Sequence, residues 1–380
     1  MEYDWDAIII GGGPAGSTVA RYAADGGAKI LVIDRRSVIG TPLQCGELVP
    51  SNHQLKNLCP DVPDIDELFR TSDEAISRET KTMGLVAPSG KKMVYSFEGQ
   101  ILHRPIHDQK LVEMAKTKGA EFLTEARVND IDGHNIILKN GERISSRVII
   151  GCGGPHDPLR KKFWKEKSLN IAVHFVLMDG DFDDTVNLYF GSTAPGGYAW
   201  MIPKDGGANI GIGIQTRFSK GKSLNVMADD FFDQFEGVIT YRGGGVLPMS
   251  GSISNFTKEH YMLVGDAAGM VLPSNGAGIT TAMIGGRIAG QVIAEHIRDG
   301  MSLDQYQLRW NKQMGKVMKY SKRGMAWGNL MFRSPDWLVS TGFNSMTKTL
   351  IWRAITCKPM FGLFRLYQSR VLFLIVANYE

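Results

Sequence analysis

Residues 6–16, Asp6-Ala-Ile-Ile-Ile10-Gly11-Gly-Gly-Pro-Ala-Gly16, run directly from an apolar segment into a glycine-rich turn. The apolar run lacks alternation, which is typical of a parallel strand covered on both faces, and a helix is expected to begin near Pro14. A second apolar segment over 29–33 ends at Asp34. This stretch therefore predicts a strand, turn, helix and second strand at the start of an α/β fold.

The glycine spacing has a chemical meaning. Gly11 permits a tight turn, Gly13 lets a pyrophosphate approach the backbone, and Gly16 lets the helix pack closely on the strand. The helix N-terminus directs free N–H groups at phosphate oxygens, and Asp34 can accept hydrogen bonds from an adenosine ribose. We expect a dinucleotide site, although this element alone does not separate FAD from NAD.

A second polar segment follows a later apolar strand, Tyr261-Met-Leu-Val264, which ends in Gly265-Asp266. A carboxylate there can bind a ribityl or ribose hydroxyl group. Gly276 and Gly278 then open a helix whose N-terminus can stabilise negative charge on a ring oxygen. Two separated polar groups favour a long cofactor, FAD rather than NAD.

Composition is that of a globular protein. The 380 residues are 43% hydrophobic and 22% charged, with a net charge of +4 and no apolar run of 18 residues. The chain begins on its first strand, so we expect no signal peptide. Its four cysteines form no CxxC pair, which favours a cytoplasmic protein without a metal site. We also expect no bound nucleic acid.

Two positions outside the glycine motifs are candidates for chemistry. Cys45 lies in a glycine and proline loop after the second strand, where open α/β sheets bind ligands. Arg104 precedes a predicted helix, from which a guanidinium can reach a cofactor phosphate or ring edge. A small buried cysteine and a surface salt bridge are the alternatives.

The middle of the chain predicts a second unit. Residues 51–100 are irregular, with a short strand pair around 83–85 and 93–95, and strands over 171–214 predict an inserted antiparallel sheet. Tyr198 and Trp200 alternate on one face and could form the wall of an apolar substrate pocket.

These patterns divide the chain into three parts. We expect a discontinuous FAD-binding domain over 1–50, 101–155 and 258–300, and a substrate-binding domain over 51–100 and 156–257. Residues 301–380 complete the chain as a helical region.

The C-terminal region is basic and aromatic. Thirteen lysine or arginine residues between Arg298 and Arg370 face three aspartates. Interleaved aromatic residues fit an interfacial membrane contact, or an ordinary helical cap with a solvated basic face. The aromatic positions include Trp310, Trp327, Phe332, Trp337, Phe343, Trp352, Phe361, Phe364, Tyr367 and Phe373.

Together these motifs resemble the flavin proteins of the para-hydroxybenzoate hydroxylase type. Within that class, Pro195-Gly-Gly-Tyr-Ala-Trp-Met-Ile-Pro203 resembles the PxxYxWxFP motif of geranylgeranyl reductases, with Ile202 in place of Phe. The Cys45 loop and Pro273-Ser-Asn-Gly-Ala-Gly278 resemble the archaeal members, which saturate digeranylgeranylglycerophospholipids. Asp34 stands where Glu is common in this family.

The resemblance implies a set of FAD contacts in addition to the glycine motifs. They run from the adenosine end through the Cys45 loop to the ring system. With the glycine motifs, the predicted cofactor residues are Gly11, Gly13, Ala15, Gly16, Asp34, Arg35, Cys45, Gly46, Leu48, Arg104, Val128, Gly265, Asp266, Gly276, Gly278 and Ile279.

The resulting hypothesis is a flavin-dependent reductase of prenyl double bonds, in which Cys45 is the candidate proton donor. Its expected partners are a prenylated glycerophospholipid, a membrane surface bound peripherally, and an external electron donor. That donor is reduced ferredoxin, NADPH or reduced deazaflavin. An aromatic monooxygenase and a non-catalytic prenyl carrier are the alternatives, because fold does not fix function.

Overall fold

The structure is a computed structural model that describes residues 2–360. The strands in chain order are β1 (Trp5–Ile10), β2 (Ile30–Ile33), β3 (Leu48–Pro50), β4 (Ile76–Val86), β5 (Lys92–Leu102), β6 (Glu121–Leu123), β7 (Val128–Asp132), β8 (Asn135–Leu138), β9 (Arg143–Gly151), β10 (Asn170–Asp179), β11 (Val186–Tyr189), β12 (Tyr198–Lys204), β13 (Gly207–Ile214), β14 (Val238–Pro248), β15 (Thr257–Lys258) and β16 (Tyr261–Leu263).

The helices lie between these strands and after them. They are α1 (Pro14–Asp25), α2 (Asn52–Leu58), α3 (Ile65–Leu68), α4 (Arg104–Thr117), α5 (Pro158–Phe163), α6 (Leu224–Phe232), α7 (Ile279–Asp299), α8 (Gln305–Met331), α9 (Asp336–Thr341) and α10 (Lys348–Ile355).

The first sheet has the order β15-β16-β9-β1-β2-β6. Within this order, every two adjacent strands from β16 to β6 are parallel. Ile8 and Ile9 of β1 are fully buried. The predicted parallel strand is confirmed, and β9 pairs with β1 on the side opposite β2. Strands β8 and β9 pair antiparallel and form a hairpin with Asn140-Gly141 at its turn.

The second sheet has the order β14-β10-β13-β12-β11-β4-β5-β3. Strands β10 to β14 form the expected antiparallel part, but the pair β4 and β11 is parallel. The predicted antiparallel sheet over 171–214 is confirmed, and its parallel neighbour β4 was not predicted. The cause is topological, since β4 precedes the inserted strands by about a hundred residues and the local pattern does not report its partner.

Residues 51–100 are more regular than expected. Strands β4 and β5 are eleven residues each, whereas the sequence predicted only the short segments 83–85 and 93–95 next to the turn between them. Strand β5 alternates between buried and exposed residues along most of its length. Its outward face is polar apart from Val94, so only the segment next to the turn was recognised in the sequence. Helices α2, α3, α5 and α6 were also missed, and α4 begins at Arg104 rather than after it.

The C-terminal region is helical through α10, as predicted. The last aromatic positions, Phe361, Phe364, Tyr367 and Phe373, lie outside the described residues. Among the helices that the structure describes, none is long and apolar enough to cross a lipid bilayer.

Helices α1 and α7 pack against each other through glycines. A Cβ at Gly286 would lie 2.8 Å from the Ala15 carbonyl oxygen, and one at Gly290 would lie 2.6 Å from that of Val19. Any larger residue would force the helices apart, because both neighbours are main-chain atoms.

We expect Gly290→Ala to lower the free energy of unfolding by about 1–3 kcal/mol, the usual cost of overpacking. Gly315→Ala is the matched control. At this position of α8 the nearest atom is 3.9 Å away, so alanine should stabilise the helix by up to about 1 kcal/mol. Urea denaturation followed by circular dichroism measures both changes. A stabilised Gly290→Ala variant would contradict the packing argument.

Candidate active site

A cavity of about 1230 Å³ lies between the two sheets and is also lined by α8, α9 and α10. Most single small-ligand sites have volumes of about 300–1,000 Å³, so this cavity has room for more than one ligand. The predicted site residues that line it are Gly11, Gly13, Ala15, Asp34, Arg35, Cys45, Gly46, Leu48, Arg104, Val128, Tyr198, Trp200, Asp266, Gly276, Gly278 and Ile279.

Two predicted residues, Gly16 and Gly265, lie behind the cavity surface. A Cβ at Gly16 would overlap the Gly11 carbonyl oxygen, and one at Gly265 would lie 2.9 Å from the Ala15 Cβ. Their contribution to the site is therefore close packing. In contrast, a Cβ at Gly13 would meet no atom within 4 Å, so the backbone there faces open space.

The Asp34 carboxylate binds the glycine turn. It is buried, and its two oxygens accept hydrogen bonds from the backbone N–H groups of Gly12 (2.8 Å) and Arg36 (2.9 Å). The carboxylate thus fixes the end of β2 against the turn after β1. Arg35 is exposed at the same end of the cavity, where Val128 also contributes to the lining.

Asp266 presents a carboxylate to the cavity from the turn after β16. Its side chain makes no hydrogen bond with any other residue that the structure describes, and it is half-buried. Burial raises the pKa of the Asp266 carboxyl to about 6, and the Arg104 guanidinium acts in the opposite direction. An acceptor of this kind, facing a cavity without a protein donor, is suited to a ligand hydroxyl group.

Helix α7 begins at the cavity. Gly278 is its N-cap, and Ile279 is its first residue. The segment before it is fixed to the second sheet, because the Tyr198 hydroxyl donates to the Asn275 carbonyl oxygen at 2.7 Å. Free N–H groups of the first helical turn therefore face the cavity, together with the positive end of the helix dipole.

Cys45 lies in the loop that connects the nucleotide end of the cavity to its apolar end. The thiol is half-buried, and its sulfur accepts a hydrogen bond from the Glu47 backbone N–H at 3.1 Å. Burial raises the pKa of the Cys45 thiol, against the effect of the neighbouring Arg104 guanidinium. The thiol therefore stays protonated at neutral pH and can donate a proton.

Arg104 forms an ion pair inside the site. Its Nε and Nη2 donate to the Asp108 carboxylate at 2.9 and 2.8 Å. Burial acts to raise the pKa of Asp108, but Arg104 and a hydrogen bond from His107 outweigh it and hold that pKa at about 2. The guanidinium is thus held in one orientation beside Cys45, and its contact with a phosphate or ring edge stays a prediction.

Three functional candidates were missed in the sequence. Glu47, Lys204 and Asn209 are buried behind the Cys45 loop, where Lys204 forms an ion pair with the Glu47 carboxylate. These residues could not be predicted because they lie far apart in the sequence, and no local motif connects Glu47 with a lysine at the end of β12.

The other end of the cavity is apolar. Trp200 and Ile202 of β12 face Gly46, with Ile202 Cδ1 3.2 Å from the position of a Cβ on Gly46. Residues of the C-terminal helices complete this wall, namely Met331, Phe332, Leu338, Val339, Phe343, Leu350, Ile351 and Trp352. A long hydrocarbon fits such a surface, whereas a charged small molecule does not.

Comparison with known proteins places these features in a family. A family model for the geranylgeranyl reductase catalytic domain matches residues 168–246, and a model for the NAD(P)-binding Rossmann-like domain matches residues 9–56. Digeranylgeranylglycerophospholipid reductase 3 of Methanosphaera stadtmanae is 31% identical over 366 residues, which cover 87% of this chain and 88% of the relative.

Two solved structures are also similar. A geranylgeranyl bacteriochlorophyll reductase-like protein from Thermoplasma acidophilum superposes with a TM-score of 0.76 and 25% identity, covering 92% of this chain and 91% of its own. A flavin-dependent brominase superposes with a TM-score of 0.70 and 17% identity over 98% of each chain, which shows the fold alone. The predicted α/β fold is confirmed.

We expect Asp266→Asn to stabilise the ligand-free protein at neutral pH. A carboxyl whose folded pKa of about 6 exceeds its unfolded pKa of about 3.9 destabilises the fold progressively between about pH 4 and pH 6. The gain should grow over that range and then stay constant, at up to about 2 kcal/mol for a partly exposed group.

Urea denaturation at pH 4.5 and pH 7.5 measures the gain, with the exposed Asp205→Asn as the control for the loss of one charge. Equal stability of Asp266→Asn and the wild type at pH 7.5 would contradict this prediction.

Proposed function

The chain belongs to the digeranylgeranylglycerophospholipid reductase family, and on this premise we propose that it uses bound FAD to saturate the geranylgeranyl double bonds of a membrane-lipid precursor. This family membership confirms the resemblance to geranylgeranyl reductases that the sequence motifs indicated. The observation that carries the proposal is a single cavity in which the Cys45 thiol lies between a dinucleotide cradle and an apolar wall.

The residues present fit FAD. The open space at Gly13 and the N-terminus of α1 suit a pyrophosphate, and Asp34 suits the adenosine ribose. The unpaired Asp266 carboxylate suits a ribityl hydroxyl, and the N-terminus of α7 at Gly278 suits the ring system. When bound and reduced, FAD would supply the hydride.

Cys45 would supply the proton. An isolated trisubstituted alkene is electron-rich, so it accepts hydride only when a proton is delivered to its other carbon. The thiol is protonated because burial raises its pKa, and it faces the cavity. After proton transfer the thiolate would lie beside the Arg104 guanidinium, which stabilises the negative charge until water returns the proton.

The electron donor is proposed to be a separate molecule. The four cysteines of the sequence have no CxxC spacing suited to an iron–sulfur cluster. Reduced ferredoxin, NADPH and reduced deazaflavin are the candidate donors, and anaerobic reduction of the bound flavin by each, followed spectroscopically, distinguishes them.

We expect Cys45→Ser to lower the rate of alkene reduction at least ~100-fold, since loss of a general acid typically costs 10²–10⁴ in rate. The protein is reduced with dithionite under anaerobic conditions and mixed with a geranylgeranylated glycerophospholipid. Flavin reoxidation and a mass gain of two hydrogens per double bond report turnover. The flavin content of the variant is the control. A wild-type rate would refute the role of Cys45, and reoxidation only on admitting oxygen would refute the reductase reaction.

Peripheral membrane association is the second part of the proposal. The apolar wall reaches the protein surface at α9, where Leu338 both lines the cavity and is 45% exposed. Near it in the chain, Trp337 is 68% exposed and Met346 is 85% exposed, and the charged Arg333 and Lys348 are exposed as well. Apolar side chains with basic neighbours suit the interface of an anionic lipid bilayer.

We expect the double variant Trp337→Ser/Met346→Ser to bind vesicles containing phosphatidylglycerol at least ~10-fold more weakly. Burial of each apolar side chain in the lipid contributes roughly 1.5–3 kcal/mol to the binding free energy, and the variant loses both contributions. Co-sedimentation of the full chain measures binding. Val238→Ser is the matched control, since Val238 is also 68% exposed but lies on β14 of the second sheet, outside the C-terminal helices. Equal binding of all three proteins would rule out this surface.

A further inference from the structure

Behind the Cys45 loop lies a buried polar cluster formed by Glu47, Lys204 and Asn209. Glu47 is 1% exposed, Lys204 8% and Asn209 0%. The neighbouring residues Ile210 and Ile212 of β13 are apolar and fully buried. Polar groups in such a place are unfavourable unless each has a partner, so their contacts indicate what they do.

Asn209 connects three separate parts of the site. Its Nδ2 donates to the Cys45 carbonyl oxygen at 2.9 Å and to the Glu47 carboxylate at 3.3 Å. Its Oδ1 accepts from Trp200 Nε1 at 2.9 Å. One side chain on a central strand thus joins the backbone of the cysteine loop to the aromatic wall of the cavity.

Glu47 also holds the Cys45 loop in place. It has a φ of 67°, a left-handed conformation that is unfavourable for a residue with a side chain. Its carboxylate pairs with Lys204 and accepts from the Arg104 backbone N–H at 3.3 Å. Its carbonyl oxygen accepts from the Leu102 backbone N–H at 2.9 Å. These contacts hold the turn immediately after Cys45.

We propose that Asn209 is a positioning residue that holds the Cys45 loop against Trp200, with the Glu47–Lys204 ion pair as its buried anchor. The proposal rests on the role of Cys45 stated above, and it assigns no contact with substrate to Asn209. The amide is not needed to build β13, whose neighbouring positions are apolar. All of its side-chain hydrogen bonds go instead to the loop, the ion pair and the cavity wall.

The consequence is a thiol held in a half-buried position between two buried ion pairs, Arg104–Asp108 and Lys204–Glu47. If Asn209 is removed, the backbone of Cys45 loses its connection to the sheet, and the thiol gains access to water. The thiol should then ionise at lower pH and react faster with a small electrophile.

The test is alkylation of Cys45 by iodoacetamide in the flavin-containing protein, measured by peptide mass spectrometry from pH 6 to pH 10. We expect Asn209→Leu to react at least ~10-fold faster than the wild type at pH 7.5, with a profile displaced at least ~1 pH unit to lower pH. The buried Cys59, Cys152 and Cys357 are internal references for general loosening of the fold.

Asn187→Leu is the matched control. Asn187 is a buried asparagine of β11 in the same sheet, and it does not line the cavity. This variant should alkylate like the wild type. The proposal is overturned if the Asn209→Leu profile superimposes on the wild type, or if the control is displaced equally.

A second variant keeps the test informative if Asn209→Leu does not fold. The pair Glu47→Gln/Lys204→Met removes both buried charges together, so no charge is left without a partner. It should also displace the alkylation profile of Cys45, and an unchanged profile counts against the anchor. The alkylation result does not depend on catalysis, so an active Cys45→Ser variant would refute the proton donor alone.

Discussion

The close approach of α1 to its neighbours is the constraint on which the rest of the site depends. A Cβ has no room at Gly16 against the Gly11 carbonyl oxygen, or at Gly286 and Gly290 against the backbone of α1. Because the contacts are between main-chain atoms, the helices can occupy only one relative position. The N-termini of α1 and α7 consequently face the same cavity, and an extended anionic cofactor can contact both.

The second sheet supplies what the nucleotide unit lacks. Strand β12 brings Tyr198 and Trp200 to the cavity, and its last residue, Lys204, neutralises the charge of Glu47. The Cys45 loop therefore belongs to both halves of the molecule, since it follows β2 of the first sheet and is bonded to β12 and β13 of the second. The position of Cys45, the proposed proton donor, is set by contacts between residues that lie about 160 positions apart.

The sequence predicted those features whose signal is local. The glycine turn, Asp34 and the carboxylate of Asp266 each follow an apolar strand directly, so the residue types and their positions were sufficient. The position of Cys45 at the cavity was predicted because loops at the carboxyl ends of parallel strands bind ligands. The Glu47–Lys204–Asn209 cluster was missed because no local pattern reports a buried ion pair. The parallel β4–β11 pair was missed for the same reason, since strand pairing over long separations is a tertiary property.

The two ends of the cavity differ in the kind of ligand that they favour. At the nucleotide end, backbone N–H groups and carboxylates replace water around a polar ligand. At the apolar end, the side chains of α8 to α10 leave a hydrocarbon as the favoured occupant. Cys45 lies at the boundary, where burial keeps its thiol neutral while Arg104 can stabilise the thiolate formed by proton transfer. A more polar surrounding would ionise the thiol before the alkene arrived, and one without Arg104 would oppose its ionisation. The proposed role of Cys45 as an acid therefore requires both environments at once, and the loop that joins the two sheets provides both.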